Sequence, residues 1–266
     1  MNCFLKKLYC NKQCLTEFIG TGLILFMSSS YIALLSINNI NIEPWIINIV
    51  LNINLIIIIY CSKSISGAHL NPAITIIFYL FFQFPKKKVI PYIISQTLGS
   101  FFFSIISYLI FNKILIIFNN TYYIMKHHLN HVYFVSFFSL YVEHNHLLLV
   151  NLFIELLISA IFIIFIIFLN EYKDYFILNH IDCSPLIIGL VLIIINNTIG
   201  NNIVFCLNPA LDLSPKIFSL LNIYLRNLYL INIPNLFSFF FIPIIGPILG
   251  FIIGVYGYNF IHKIFK

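Results

Sequence analysis

The sequence predicts an all-α membrane protein with six transmembrane helices, two re-entrant half-helices and an inverted internal repeat. Composition is the first observation: 61% of the 266 residues are hydrophobic, 8% are charged, and the mean hydropathy is +1.00. A soluble globular domain has about 25% charged residues, so this chain lacks the polar side chains that a water-facing surface needs. The lengths of the apolar segments and a tripeptide that occurs twice are the other two observations.

Six apolar segments of about 20 residues, the length needed to cross the hydrocarbon core, are predicted to span the bilayer. They cover residues 14–36, 43–61, 89–111, 147–169, 184–200 and 236–261. The first of them follows several lysines, as the apolar part of a signal peptide would. It lacks a small-residue cleavage site, and Glu17 interrupts it, so it is predicted to be the first span.

Two shorter apolar segments, 71–82 and 208–221, begin at the tripeptide Asn-Pro-Ala. They are too short to span, which predicts half-helices that enter the membrane and leave on the same side.

The order of segments is the same in both halves of the chain. Asn71 follows Glu17 by 54 positions and Asn208 follows Glu155 by 53, and apart from Glu43 at the first position of the second span these glutamates are the only acidic residues inside the predicted spans. Each half contains three spans, so the second half enters the membrane in the opposite direction. The sequence therefore predicts a single transmembrane domain over 1–266, with inverted repeats at about 14–111 and 147–261 and a functional site near the membrane midplane.

The distribution of basic residues predicts the orientation. With both termini in the cytoplasm, ten basic residues lie inside and four outside, as the positive-inside rule requires. The inside set is Lys6, Lys7, Lys12, Lys63, Lys86, Lys87, Lys88, Lys173, Lys263 and Lys266, and the outside set is Lys113, Lys126, Lys216 and Arg226. Since the net charge of +6 is scattered among apolar spans, membrane topology explains it better than nucleic-acid binding does.

Asn-Pro-Ala at the start of a helix has a direct physical meaning. Proline suits the first helical position, and asparagine is a strong N-cap. One copy could be a helix cap and nothing more. Two copies on opposed half-helices present two asparagine side chains and two positive helix ends to one cavity, which favours neutral oxygens and repels cations. The residues of the two motifs are Asn71, Pro72, Ala73, Asn208, Pro209 and Ala210.

Glu17 and Glu155 are too costly in lipid to be accidental. One interpretation is a proton relay. The matched spacing favours another, in which each carboxylate anchors the non-helical backbone before its half-helix by accepting N–H groups.

The residues before each half-helix are predicted to be extended, with carbonyl groups that line a pore. In the first half these are Gly67, Ala68 and His69, and in the second they are Val204, Phe205 and Cys206. His69 could bind a metal or transfer protons. No second histidine is placed to help it, so a hydrogen-bonded structural role is favoured.

No cofactor or metal is predicted. The six cysteines include no CxxC pair, which favours free thiols. A histidine-rich stretch in the long loop after the third span could bind a metal, but its spacing is irregular. It comprises His127, His128, His131, Glu143, His144 and His146.

These motifs resemble the major intrinsic proteins (aquaporins), in particular the bacterial glycerol uptake facilitators. The resemblance covers nearly the whole chain and includes "TEFIGTGLILF", "SGAHLNPAIT", "KKKVIPYIISQ", "NPALDLSPKIF" and "FIPIIGPILG". Positions typical of the glycerol-conducting members (aquaglyceroporins) are Asp212, Lys216, Pro243 and Ile244. The resemblance implies an aquaporin-like fold, passive conduction of glycerol, other small neutral solutes and water, and a homotetramer in the cell (inner or plasma) membrane.

The resemblance also implies a selectivity filter at Leu51, Asn196, Phe205 and Leu211. Glycerol facilitators typically have an aromatic residue, glycine, an aromatic residue and arginine at these positions. Phe205 agrees with that pattern, whereas the other three residues depart from it. Leucine at 211 has no donor and no charge, and a buried hydrogen-bond mismatch costs about 1–3 kcal/mol, so polyol recognition should weaken unless Asn196 supplies a donor.

Other functions compete with a glycerol channel that has an atypical filter. The chain could conduct mainly water, or it could be a pore with relaxed selectivity. A transporter coupled to protons at Glu17 or Glu155 is a further alternative, since inverted repeats also occur in transporters. An enzyme is not expected, because no catalytic constellation lies near the midplane.

Overall fold

A computed structural model describes residues 3–38, 43–119, 148–198, 206–225 and 240–265. Over these ranges the chain folds into eight α-helices. They are α1 (Cys3–Asn38), α2 (Pro44–Ser66), α3 (Pro72–Phe81), α4 (Lys86–Asn119), α5 (Leu148–Glu171), α6 (Ser184–Thr198), α7 (Pro209–Leu225) and α8 (Ile242–Phe265). A 3₁₀ turn (Lys173–Phe176) and an antiparallel hairpin of β1 (Ile177–Leu178) and β2 (Ile181–Asp182) connect α5 to α6.

The helices have the lengths and composition of a polytopic membrane protein. Within the described ranges, four segments are long and apolar enough to cross a bilayer: Trp45–Ser66, Lys86–Phe111, Leu149–Glu171 and Ile242–Ile264. The helices α3 and α6 are apolar but shorter. The chain is therefore an integral membrane protein.

Three local features differ from the sequence prediction. Helix α1 begins at Cys3 rather than near residue 14, and α4 continues to Asn119. The added turns of α1 contain Lys6, Lys7 and Lys12, and hydropathy does not register polar turns that extend beyond the part of a helix that lies in lipid. The added turns of α4, residues 112–119, are mostly apolar, so the prediction ended that span too early. The hairpin was also not predicted, because each strand has only two residues.

The burial pattern is that of a protein surrounded by lipid. Large apolar side chains face outward, as for Ile90 (68% exposed) and Leu149 (79%). Polar and charged side chains lie inside, and Glu17, Gln96 and Lys216 are each 0% exposed. The functional chemistry of this molecule is therefore in its interior.

Small residues bring the helices of each half into close contact. A Cβ atom on Gly99 of α4 would lie 2.1 Å from the carbonyl oxygen of Phe18 in α1. In the second half, a Cβ atom on Gly250 of α8 would lie 2.6 Å from the carbonyl oxygen of Leu156 in α5. Phe18 and Leu156 directly follow the two glutamates, so both halves use glycine at corresponding places to let the backbones approach.

The two half-helices run in opposite directions from the centre. After α3, Phe84 packs on Tyr92 near the start of α4, and the Tyr92 hydroxyl donates to the carbonyl oxygen of Ser66 at the end of α2. Along α7, Phe218 packs on Tyr108, further along α4. Lys63, near the end of α2, pairs with Asp182 of the hairpin. We call this end of the molecule the hairpin end. Helix α3 runs toward the hairpin end, and α7 runs away from it.

Candidate functional site

Asn71 and Asn208 meet at the centre of the molecule, where each makes two kinds of hydrogen bond. Each side-chain oxygen accepts from the backbone N–H two residues on, at 2.8 Å for Ala73 and 3.1 Å for Ala210. The side-chain nitrogens cross between the halves: Asn71 Nδ2 donates to the Leu207 carbonyl and Asn208 Nδ2 to the Leu70 carbonyl, both at 2.8 Å. One N–H of each amide therefore connects the halves, and the other is available to a solute.

The backbone before each asparagine adopts a left-handed conformation. Leu70 has φ 50° and Leu207 has φ 56°, at equivalent positions of the two halves. In the first half the chain leaves α2 through Gly67 at φ 88°, which glycine adopts without strain, and Ala68 follows at φ 51°. The prediction that these two residues are extended was wrong, because Gly67 caps the end of α2 in a left-handed conformation and turns the chain there. Non-glycine residues adopt this conformation only where surrounding contacts hold them, and such strain concentrates at functional sites.

The two buried glutamates supply those contacts. Glu17 accepts the N–H of His69 at 3.1 Å on one oxygen and the N–H of Leu70 at 2.6 Å on the other. Glu155 accepts the N–H groups of Cys206 at 2.7 Å and Leu207 at 2.8 Å in the same way. These bonds are the ones that the anchoring hypothesis requires.

The first half adds a side-chain network around its glutamate. Gln96 Nε2 donates to Glu17 at 2.7 Å and contacts Thr75 Oγ1 at 3.1 Å, and that hydroxyl lies 3.1 Å from His69 Nδ1. The His69 ring packs against three aromatic rings, those of Phe78, Phe84 and Tyr92. His69 thus has the hydrogen-bonded surroundings of a structural histidine.

A cavity of about 490 Å³ passes the two asparagines and is lined by both halves. The predicted site residues in its lining are Leu51, Gly67, Ala68, His69, Asn71, Asn196, Cys206, Asn208 and Leu211. Val204, Phe205 and the histidine-rich stretch at 127–146 lie outside the described residues. Three of the four filter positions therefore line one cavity.

The cavity wall away from the hairpin end contains a polar residue that sequence reasoning missed. Asn52 lies on α2 beside Leu51, is 4% exposed and lines the cavity. Its Nδ2 donates to the Asn48 carbonyl at 2.7 Å. The Asn48 Nδ2 donates in turn to Asn197 Oδ1 at 2.8 Å, which ties α2 to α6 at this level. Because asparagine is frequent in this chain, the sequence did not distinguish Asn52 from asparagines that lie outside the cavity.

At the hairpin end, an ion pair between Lys63 and Asp182 forms part of the cavity lining. The Tyr60 hydroxyl donates to the Asp182 carbonyl at 2.7 Å, and Ser184 donates to the Asp182 carboxylate through its N–H and its hydroxyl. Partial burial raises the pKa of Asp182, but the hydrogen bonds from Lys63 and Ser184 outweigh it and hold the pKa below its ordinary value. The hairpin is therefore fastened to the end of α2.

Lys216, which the sequence-based count places among the outside charges, is not an exposed loop residue. Its side chain is 0% exposed and forms an ion pair of 2.5 Å with Asp212, one helical turn earlier in α7. A buried charge is stable only when it is paired, so the aspartate four positions before the lysine is the sequence signal for this arrangement.

Three comparisons with known proteins agree with this geometry. The model of the family "Major intrinsic protein" matches residues 4–258. A glycerol uptake facilitator protein of Buchnera aphidicola (subspecies Acyrthosiphon pisum) is 38% identical over 264 residues, covering 95% of this chain and 94% of the relative. The glycerol uptake facilitator protein of Escherichia coli K12 is 33% identical over 93% of this chain and 86% of its own length.

Among solved structures, the aquaglyceroporin from Plasmodium falciparum superposes with a TM-score of 0.70. The match covers 96% of this chain and 98% of that one, at 20% sequence identity. At that identity the likeness establishes the fold, which is aquaporin-like.

Proposed function

Because this chain belongs to the major intrinsic protein family, we propose that it is a passive transmembrane channel for glycerol and similar small neutral solutes, including water. The observation that carries the proposal is the reciprocal pair of amides: Asn71 and Asn208 each bond across to the other half, and both line one cavity. Each keeps one N–H for a passing oxygen. The curated relatives named as glycerol uptake facilitators support glycerol as the solute.

In this proposal the chain is a single channel domain with two inverted repeats, and transport is facilitated diffusion without cofactor, coupled ion or chemical reaction. Asn71 and Asn208 orient the solute. Backbone carbonyls at Gly67, Ala68 and His69 accept its hydroxyl protons. The corresponding carbonyls before the second motif and the ring of Phe205 complete the path. Glu17 and Glu155 act as structural anchors and not as proton carriers.

We further propose that the protein is a homotetramer in the cell membrane, with both termini and the hairpin end in the cytoplasm. Basic residues near the hairpin end support this orientation, since cytoplasmic segments are enriched in lysine and arginine. They include Lys63, Lys86, Lys87, Lys173 and Lys263. When the buried Lys216 is left out of the outside set, the excess of basic residues on the cytoplasmic side becomes larger.

Stopped-flow light scattering on proteoliposomes tests the proposal. We expect glycerol permeability well above that of empty liposomes, proportional to the glycerol gradient and unaffected by an imposed pH gradient. Water permeability without glycerol permeability would refute a glycerol channel and support a water channel. Glycerol flux that follows the pH gradient would support coupled transport.

Leu211 is the observation that favours a second candidate, a pore with relaxed selectivity. Its side chain lines the cavity in the first turn of α7 and supplies neither a hydrogen bond nor a charge there. Proton and cation flux on the same preparation distinguishes the two candidates. A relaxed pore conducts ions together with glycerol, whereas the selective channel does not.

A further inference from the structure

The second half-helix supplies no side-chain donor at Leu211, yet the lining of the same cavity also contains amide side chains on α2 and α6. Helices α2 and α6 are antiparallel neighbours there, and the Asn48–Asn197 bond of 2.8 Å holds them in register. A Cβ atom on Gly189 of α6 would lie 2.3 Å from Ile56 of α2, so the two helices also approach closely between this level and the hairpin end. This wall is therefore fixed in position.

Two amides of this wall, Asn52 and Asn196, belong to the cavity lining. Asn52 uses one of its N–H groups on the Asn48 carbonyl, which fixes the orientation of its amide. That leaves a side-chain oxygen and a second N–H, so a cavity occupant can both donate to Asn52 and accept from it. On α1, Ser28 also lines the cavity, but its hydroxyl donates to the Ile24 carbonyl of its own helix at 2.9 Å.

We propose that Asn52 is a specificity-determining residue, and that Asn52 with Asn196 supplies the hydroxyl contacts that Leu211 cannot make. This inference rests on the proposed channel function. A solute hydroxyl that enters this part of the cavity loses water, and it needs a protein partner to replace the lost hydrogen bonds. Since Leu51 and Leu211 offer none, the α2–α6 wall is the surface on which a polyol presents its oxygens.

The test compares two solutes that differ by one hydroxyl, glycerol and propane-1,2-diol, in proteoliposomes. Loss of one hydrogen-bond partner in the protein should lower glycerol permeability more than propanediol permeability, because glycerol has more hydroxyls to desolvate. For Asn52→Leu we expect the ratio of glycerol to propanediol permeability to fall about fivefold, which corresponds to about 1 kcal/mol. Asn52→Ala should lower the ratio in the same direction, although it leaves a wider passage.

The matched control is Asn54→Leu. Asn54 lies on the same helix, is partly exposed and does not belong to the described cavity lining. We expect the wild-type ratio for this variant, and retained water permeability in all variants shows that the pore is assembled.

An unchanged ratio in both Asn52 variants overturns the inference, and so does an equal fall in Asn54→Leu. The proposed function is tested separately by the wild type alone. If wild-type proteoliposomes conduct neither solute above empty liposomes, the channel function is wrong and the inference is wrong with it. If the wild type conducts glycerol and the Asn52 variants keep the ratio, only the inference is wrong.

Discussion

Replacing Glu155 by leucine tests whether the buried glutamates are anchors or proton carriers. The side chain is 2% exposed, packs against Gly246 and accepts two backbone N–H groups, those of Cys206 and Leu207. Leucine has a similar volume, so it fills the site without accepting either bond. The backbone before the second half-helix would then lose both of these contacts.

The size of the effect follows from the number of donors left unpaired. A buried donor without a partner costs about 1–3 kcal/mol, so two of them cost about 2–6 kcal/mol. The total stability of a folded domain is about 5–15 kcal/mol, and Glu155→Leu is therefore a severe substitution. Glu155→Gln keeps one acceptor oxygen and should lose about half as much.

We expect thermal unfolding in detergent to occur at a lower temperature for Glu155→Leu than for Glu155→Gln, with the wild type highest. Glycerol permeability of proteoliposomes should fall in the same order, because the Leu207 carbonyl that Asn71 uses depends on this anchor. Glu171→Gln is the matched control: Glu171 lies on the same helix, but its side chain is 36% exposed. That variant should differ little from the wild type.

Wild-type unfolding and wild-type glycerol flux in Glu155→Leu would refute the anchoring argument. The proton-relay alternative makes a different prediction. Under that alternative, wild-type glycerol flux responds to an imposed pH gradient, and Glu155→Gln abolishes the response while leaving thermal unfolding unchanged.

Three further predictions concern the filter, the hairpin and the helix packing. Leu211→Arg should lower any proton or cation leak and sharpen discrimination among polyols; an unchanged leak and unchanged solute order would show that this position is not part of the filter. The pKa of Asp182 in the folded protein lies below its ordinary value of 3.8. The pairing of Asp182 with Lys63 therefore stabilises the fold fully at any pH above 3.8. This stabilisation is lost only when the pH falls through the lower pKa of the folded state. Hydrogen exchange of the hairpin, corrected for its intrinsic pH dependence, should therefore be the same at pH 5 and pH 7, and a loss of protection by pH 5 would contradict this. Gly254→Leu should lower the unfolding temperature strongly, because a Cβ atom at this position would lie 2.5 Å from the Ala160 carbonyl oxygen. Gly257→Leu should be tolerated, because a Cβ atom there would have no atom of the described residues within 4 Å.

Much of the architecture could be predicted because it depends on local patterns. Apolar length identifies the spans, and Asn-Pro-Ala identifies the start of a half-helix wherever it occurs. The spacing of Glu17 and Asn71, matched in the second half, indicated that carboxylates and half-helices belong together. That inference needed no knowledge of how the helices pack.

Contacts between distant positions could not be predicted from one sequence. Asn71 and Leu207 are 136 positions apart, and Lys63 and Asp182 are 119 apart, so no periodicity relates them. Nor does residue type reveal which of the many asparagines lines the cavity. Asn52 is distinguished from Asn54 only by the face of α2 that packs inward, and α2 is apolar on both faces.

The reciprocal bonds at the centre explain why neither repeat could form this site alone. Glu155 holds Leu207 through its N–H, and the carbonyl of the same residue accepts from Asn71. Glu17 holds Leu70 in the same way, and the Leu70 carbonyl accepts from Asn208. Each half thus supplies the acceptor that orients the asparagine of the other. Both left-handed leucines are held from two sides, which places their carbonyl groups toward the opposite half. The donors offered to a solute are consequently positioned only when both halves have folded and met.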